Sequence, residues 1–377
     1  MTNTTPVPTW HRKGLARDCV LSLRADNAIA ASDPFGVDDI LPRLLPCWNA
    51  DADVAELVTM AARLVGQLDT MSDRDVTTSA ACMRDLGFVA ASLARHNVGL
   101  DAVTGLEAAL LTLGRETDEV PRDTVYSYAS RNPADDRLRT FTRLPEERMF
   151  IEAVTEGMRA LTHAVEQLDL AGSTEFGTDE FIHHAEQAAV HMRRLVREIR
   201  TVIRNLTPET FTFGMRPYFP PLTVGSKVYY GPGGAQMALL IVDVMLFGLD
   251  WSCGRRLEAY LHDNLAYLPP AYRRLADAHL CSTSLLASWL GQARHQLAAG
   301  VFPDRIRESL DAAGSVVKAM LRFRYPHRNL ARANFQVRQP DALGSGGYQV
   351  DALTMLLDQT SRAQADLLAL RDTAGRA

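Results

Sequence analysis

The sequence predicts an all-α protein built as a helical bundle. Over most of the 377 residues, apolar side chains recur at the i, i+3, i+4, i+7 spacing of amphipathic helices. Almost no segment alternates apolar and polar residues as a half-buried strand does, and no segment repeats. Prolines and glycines gather in a few stretches between the periodic ones. Bundles of this kind commonly hold ligands and cofactors between their helices.

Residues 1–130 are predicted to form an N-terminal arm and a smaller helical domain. Several prolines and mixed polarity in the first 50 residues predict an arm with one or two short helices. Apolar periodicity then predicts helices at 52–71, 72–96 and 102–114. The second of these begins near Ser72 and Asp75, a pair at cap-like spacing.

The predicted domain boundary lies near residue 130. Between Glu116 and Pro145 the periodicity weakens and further prolines occur. The segment VYSYAS at 125–130 is still apolar, so we expect a short helix that lines something rather than a linker. Residues 131–377 form the larger predicted domain.

The larger domain is predicted to hold long helices around one proline- and glycine-rich loop. Pro145 is a favoured first-turn residue and opens the first of these helices. Residues 211–237 form the loop, in which 222–230 can pair as a small ribbon. Loops of this length are usually functional or packed over a site. The predicted helices are 145–170, 179–206, 235–249, 254–262, 270–299, 303–334 and 350–371, the last preceded by a glycine-rich turn at 343–348.

Composition and charge exclude several classes of protein. A net charge of -5 offers no overall attraction to a phosphate backbone, so no nucleic-acid partner is expected. Five scattered cysteines without CxxC spacing indicate neither a disulfide framework nor a zinc ribbon. No secretory signal is recognisable, and the most apolar run, 237–251, is too short and too acidic to span a bilayer. We expect a cytoplasmic protein without a membrane partner.

His327 is the histidine with the least ordinary setting. It follows Pro326 directly within an otherwise helical apolar segment, and proline should kink that helix and re-aim the next residue. A single neutral imidazole projecting into an apolar bundle suits axial ligation of haem iron. Arg322, Arg324 and Arg328 could pair with the haem propionates. On composition alone, a helix-end histidine with solvated arginines is the more common situation.

Other histidines have simpler explanations. Glu180 and His183 supply one Glu-x-x-His turn, but a di-metal carboxylate site needs a second on another helix. His279 and Cys281 are two residues apart on a predicted helix and point in divergent directions. We therefore interpret both groups as structural.

Two glycine-rich segments and one arginine are further candidates. GPGGA at 231–235 and GSGG at 344–347 lack the strand and spacing of a dinucleotide fingerprint. Their amides could approach a ligand closely, although ordinary capping turns are the default interpretation of each segment. Arg216 stands among aromatics and prolines, and if buried it needs an anionic partner, either a substrate carboxylate or a protein carboxylate.

Several blocks of the chain together resemble the monodechloroaminopyrrolnitrin synthase family, a haem enzyme family of pyrrolnitrin biosynthesis. More remotely, they resemble the indoleamine and tryptophan 2,3-dioxygenases. The resemblance covers most of the chain from about residue 75. Its blocks occur in the same order: CMRDLGFVAASLARH (82–96), RLPEERMFIEAV (143–154), MRPYFPPLTVGSKVYYGPGGAQM (215–237), LRFRYPHRNLA (321–331) and LGSGGY (343–348).

The resemblance implies a helical haem b protein of the dioxygenase type and assigns residues to its site. It places His327 as the proximal haem ligand, with Arg324 and Gly344 also at the cofactor. Arg216 falls where the dioxygenases hold the substrate carboxylate, five residues after Phe211. Ser345 lies in the loop that closes over substrate, and it is the residue we assign to catalysis. The remaining substrate-binding assignments are Tyr126, Phe150, Phe335 and Gly346.

One departure from the family affects the expected substrate. The family has a tyrosine eight residues after the axial histidine, where this chain has Phe335, so a phenolic hydrogen-bond donor is lost. The resemblance therefore implies an oxygenase or oxidative-rearrangement enzyme for tryptophan or a substituted tryptophan in secondary metabolism. Dioxygen or peroxide would be its oxidant, and the electron source is left open. A haem-dependent hydroxylase or amine oxygenase of another aromatic amino acid and a non-catalytic haem sensor or carrier are the alternatives.

Overall fold

The structure, a computed structural model, describes residues 14–248, 255–300, 303–338 and 348–375. It confirms the predicted all-α fold. The described residues hold fourteen α-helices and one two-stranded antiparallel ribbon. Their bounds in the first half of the chain are α1 Leu15–Ala31, α2 Leu41–Asp51, α3 Val54–Thr70, α4 Val76–Arg95, α5 Leu106–Thr117, α6 Val125–Tyr128 and α7 Pro145–Ser173. In the second half they are α8 Asp179–Asn205, β1 Leu222–Val224, β2 Lys227–Tyr229, α9 Leu239–Phe247, α10 Arg255–Leu265, α11 Pro270–Leu280, α12 Leu285–Ala298, α13 Pro303–Arg338 and α14 Val350–Ala374.

The helices begin and end where local chemistry favours it. The Asp53 and Asp75 carboxylates cap α3 and α4 by accepting the backbone N–H of Glu56 and Thr78. Helix α3 buries one stripe of apolar residues, as its periodicity predicts, whereas α4 is buried all round from Ser79 to Leu93. Helix α4 is therefore the central helix of the smaller half.

Four long helices form the centre of the larger half. Helices α7 and α8 are an antiparallel pair, and α8 also packs along α13, which in turn packs along α14. The N-termini of α8 and α13 lie close together, as an ion pair of 2.7 Å between Arg305 and Asp179 shows. Helices α8 and α13 thus run side by side in the same direction, which brings the residues around 198–206 level with the segment that carries His327.

Two predicted segments differ from the structure, and a third helix is longer than predicted. The predicted helix at 270–299 is two helices, because the Ser284 hydroxyl accepts the N–H of Ala287 and starts α12 after a break. The arm predicted for residues 1–50 contains two full helices, α1 and α2, among its described residues. Helix α13 continues past Pro326 to Arg338, although Pro326 cannot donate to the Arg322 carbonyl.

The hydrophobic core has two main clusters, one in each half of the chain. Their membership crosses the boundary predicted near residue 130. Ala16 and Cys19 of α1 and Tyr126 pack into the cluster of the larger half. Residues 218–224 instead pack with the smaller half. The division at residue 130 stays a prediction, since both halves share these contacts.

The ribbon is anchored to the smaller half by a buried arginine. The Arg122 guanidinium donates to the carbonyls of Pro220 at 2.8 Å and Tyr229 at 3.1 Å. Gly231 follows, and a Cβ there would lie 2.8 Å from the Phe219 carbonyl oxygen, so only glycine permits this approach. These contacts fix the loop that forms one wall of the cleft described below.

None of the helices in the described ranges is both long and apolar enough to cross a bilayer. Residues 343–347 of the turn predicted at 343–348 lie outside the described residues.

Candidate functional site

A deep, largely apolar cleft lies between the long helices of the larger half. Its walls come from α6, α7, α8, α9, α10, α13 and α14 together with segments 206–219 and 232–237. The space it encloses, including its open mouth, is about 2060 Å³. The enclosed part of the cleft measures about 300 Å³, within the about 300–1,000 Å³ usual for small-molecule pockets.

The His327 imidazole lines this cleft. Its ring stacks on Phe323, with centroids 5.2 Å apart and planes inclined by 27°. Burial, assisted by the nearby Arg324 cation, lowers the pKa of His327 to about 4. The ring is thus neutral at physiological pH. Among the described residues, neither ring nitrogen has a hydrogen-bond partner, so a lone pair is available to a ligand.

A glycine wall stands close to the imidazole. A Cβ at Gly234 would lie 3.9 Å from His327 Nε2. Gly233 and Pro232 line the cleft beside it. The GPGGA segment therefore leaves space next to the imidazole that a larger side chain would occupy.

Arg324 lines the cleft but is bonded to protein groups. It is 4% exposed, and its guanidinium pairs with Asp243 of α9 and donates to the Thr360 hydroxyl and, at 2.9 Å, to the Leu356 carbonyl. Burial raises the pKa of Asp243, and the Arg324 cation opposes that effect. The propionate pairing predicted for Arg324 would have to compete with these three contacts.

The two neighbouring arginines of Arg324 on α13 do not pair with a buried carboxylate among the described residues. Arg328 lies over the Tyr325 ring, and Arg322 is exposed on the same helix.

Arg216 and two phenylalanines line the same cleft. A π-helical turn at Thr210–Met215 precedes Arg216, an arrangement that is frequent at functional sites. The Arg216 guanidinium donates to the Phe219 carbonyl at 2.8 Å and lines the cleft. Phe211 and Phe150 contact each other there, with ring centroids 5.7 Å apart. The structure thus brings three predicted substrate residues together.

Phe335 also lines the cleft, two turns beyond His327 on α13. The adjacent Asn334 was not predicted from the sequence. Its Oδ1 is buried without a hydrogen-bond partner among the described residues, and the side chain lines the cleft. Asn334 is seven residues from His327 and therefore lies on the same helical face, which is the signal that could have identified it.

Tyr126 does not line the cleft, although the residues on either side of its short helix do. Its ring is 2% exposed and packs near Tyr272, with the Arg131 guanidinium 5.5 Å from its centre. Val125 and Tyr128 line the cleft instead. The expected helix at 125–130 therefore does reach the site, but a different face of it is presented. Gly344, Ser345 and Gly346 lie outside the described residues, and their assignments stay predictions.

Glu198 of α8 is a further cleft residue that the sequence analysis did not identify. It is partly buried, and burial raises the pKa of its carboxyl. A carboxylate at the edge of the apolar face of an amphipathic helix was the available signal. Asp243, within the apolar run 237–251, carried the same kind of signal.

The other histidine groups lie away from the cleft. His184 is hydrogen-bonded to Gln167 at 2.9 Å, and His183 is exposed. His279 is buried, with Nε2 3.7 Å from Asp169 Oδ1. Over the described ranges, no three side chains of histidine, cysteine, aspartate or glutamate gather in a group that could hold a metal ion.

A protein-family model matches most of the chain. The model of monodechloroaminopyrrolnitrin synthase PrnB matches residues 55–374, which is most of the chain. The matched range contains every wall of the cleft, from α6 and α7 to α14.

Proposed function

Because this chain belongs to the monodechloroaminopyrrolnitrin synthase family, we propose that it is a haem b-dependent oxygenase or oxidative-rearrangement enzyme acting on tryptophan or a substituted tryptophan. The family makes it a tryptophan-related oxidative enzyme of secondary metabolism. The dependence on haem, the substrate and the residue roles are the proposal. The observation that supports it best is the neutral His327 imidazole in the wall of a deep apolar cleft.

The residues of the cleft fit a haem. A five-coordinate haem needs one basic side-chain nitrogen, and His327 offers one that no described residue occupies. A porphyrin needs wide apolar walls, which Phe323, Leu330 and Leu353 help to form. Arg324 would act through the imidazole, because its nearby cation favours the neutral form that can bind iron. When bound, the haem would supply activation of dioxygen or peroxide.

The protein's own part is to bind and orient the amino acid and to exclude water. We assign the substrate carboxylate to Arg216, whose planar guanidinium can bind it bidentately. The aromatic ring would pack against Phe150 and Phe211, which already contact each other, and against Phe335. Ser345, with Gly344 and Gly346, would complete the site from its loop.

An absorption spectrum of the purified protein tests the haem. We expect a Soret band in the wild type, and His327→Ala should lower haem occupancy severely while the helical circular dichroism persists. Haem affinity should fall by more than the about 10- to 100-fold that is typical when a residue hydrogen-bonded to a metal ligand is removed. His183→Ala is the matched control, because that histidine is exposed on α8 and should not change the band. A wild type without haem after growth in ample iron would refute the proposal.

The substrate and product need a second test. Tryptophan, its halogenated forms and tyrosine should be screened for shifts of the Soret band. Product masses then distinguish ring opening with two oxygens retained, addition of one oxygen, and loss of carbon dioxide. A haem protein whose spectrum responds to no aromatic amino acid would instead be a carrier or sensor.

A further inference from the structure

Glu198 is a charged residue of the cleft whose role the proposed function leaves open. Its side chain lines the cleft from α8 and is partly buried. Within the part of the chain that the structure describes, its carboxylate makes no hydrogen bond and no ion pair. Partial withdrawal from water makes the charged carboxylate less stable than a fully solvated one and raises its pKa.

The neighbouring charges do not neutralise Glu198. Glu156 of α7 carries a like charge that repels it, and Arg197 attracts it only through space from an exposed position. The other carboxylate lining the cleft, Asp243, is already paired with Arg324. Among the described residues that line the cleft, Glu198 is therefore the carboxylate that a cationic ligand would stabilise.

The cleft chemistry favours an ammonium group over a metal ion as that cation. Calcium and magnesium need six or more oxygen ligands, and one carboxylate among apolar walls cannot supply them. A primary ammonium has three N–H donors and is well served by one carboxylate and a neighbouring acceptor. Asn334 Oδ1, buried without a described partner, is another acceptor in the same cleft.

We propose that Glu198 binds the ammonium group of the amino-acid substrate, while the carboxylate is bound elsewhere in the cleft by Arg216. The inference rests on the proposed function, because it requires an amino acid in this cleft. It makes Glu198 a specificity residue: the cleft selects a zwitterionic amino acid over an aromatic acid of the same shape. The acid binds less tightly because it has no ammonium group and so gains nothing from the Glu198 carboxylate.

Calorimetric titration of the protein as purified tests this assignment with three ligands. L-Tryptophan carries both charged groups, tryptamine lacks the carboxylate and 3-indolepropionate lacks the amine. Glu198→Gln keeps the shape of the side chain and removes its charge, so folding should persist. We expect Glu198→Gln to lower the affinities for tryptophan and tryptamine by about 10- to 100-fold, as loss of a charge-assisted hydrogen bond does. The affinity for indolepropionate should not change.

Glu156→Gln is the matched control, because this glutamate of α7 is exposed and lies near Glu198. It should leave all three affinities unchanged. If Glu198→Gln lowers the three affinities equally, or lowers none of them, the ammonium assignment is wrong while the proposed function stands. A wild type that binds none of the three would overturn both, and the haem spectrum would show whether the cofactor assignment survives.

Discussion

Replacing Arg324 with methionine should strongly destabilise the protein, because it leaves the Asp243 carboxylate buried without its cation. Asp243 is 2% exposed and Arg324 is 4% exposed, so water cannot replace either partner. The guanidinium also joins α13 to α14 through Leu356 and Thr360. Breaking one side of a buried pair lowers the free energy of unfolding by about 3–5 kcal/mol. That is a large part of the about 5–15 kcal/mol typical of a folded protein.

The assay is urea unfolding at pH 7, followed by far-ultraviolet circular dichroism. Asp243→Asn in the Arg324→Met background should recover much of the loss, because an amide carries no charge to be stranded. The coupling between the two sites should lie near the upper end of the about 0.5–3 kcal/mol seen for contacting residues. Arg322→Met, on the exposed face of the same helix, is the control and should change stability by less than about 0.5 kcal/mol.

Two results would refute this reasoning. If Arg324→Met stays within about 1 kcal/mol of the wild type, the pair is not buried in solution as the structure has it. If the effects of Asp243→Asn and Arg324→Met simply add, the two side chains do not interact.

Three further predictions concern ligand binding, product and acid stability. Arg216→Leu should abolish the tryptophan-induced spectral shift while haem is retained, and an unchanged shift would rule out a role in binding the substrate carboxylate. Arg216→Lys should bind tryptophan with intermediate affinity, because lysine keeps the charge but lacks the planar guanidinium. Phe335→Tyr adds a hydroxyl to the cleft and should alter the product distribution with haem retained; identical products would show that the position only packs. Burial and the His163 ring 5.2 Å away lower the pKa of His191 to about 4 from an ordinary 6.5. The unfolded chain therefore protonates His191 more readily than the folded protein does. As the pH falls from 6.5 to about 4, the free energy of unfolding should drop by up to about 3 kcal/mol. His191→Phe should flatten stability over that window, and an unchanged acid dependence would contradict the pKa assignment.

The helices were predictable because their cause is local. The apolar stripe of α3 and the capping carboxylates Asp53 and Asp75 act within one or two turns of chain, so the printed sequence contains them. The break before α12 was missed, although Ser284 is an ordinary cap, because apolar residues continue on both sides of it. Periodicity alone does not separate one long helix from two short ones.

The candidate site was predictable in part. Phe150, Phe211, Arg216, Phe335 and His327 line one cleft, as the family resemblance implied. Tyr126 does not, because the short α6 helix turns its neighbours toward the cleft and buries Tyr126 against Tyr272. Which face of a four-residue helix meets the site depends on packing from helices far along the chain.

The sequence alone determined that this chain forms helices, that it resembles a family of tryptophan-related oxidative enzymes, and that Pro326 and His327 are candidates for a functional site. The tertiary structure decided which charges meet. Asp243 and Arg324 are 81 residues apart and become partners only when α9 packs on α13. Glu198 is left facing a cleft for the same reason, because α8 lies between α7 and α13 and no basic side chain of the described residues pairs with it. Burial and pairing are properties of packed helices, and no local pattern of residues contains them.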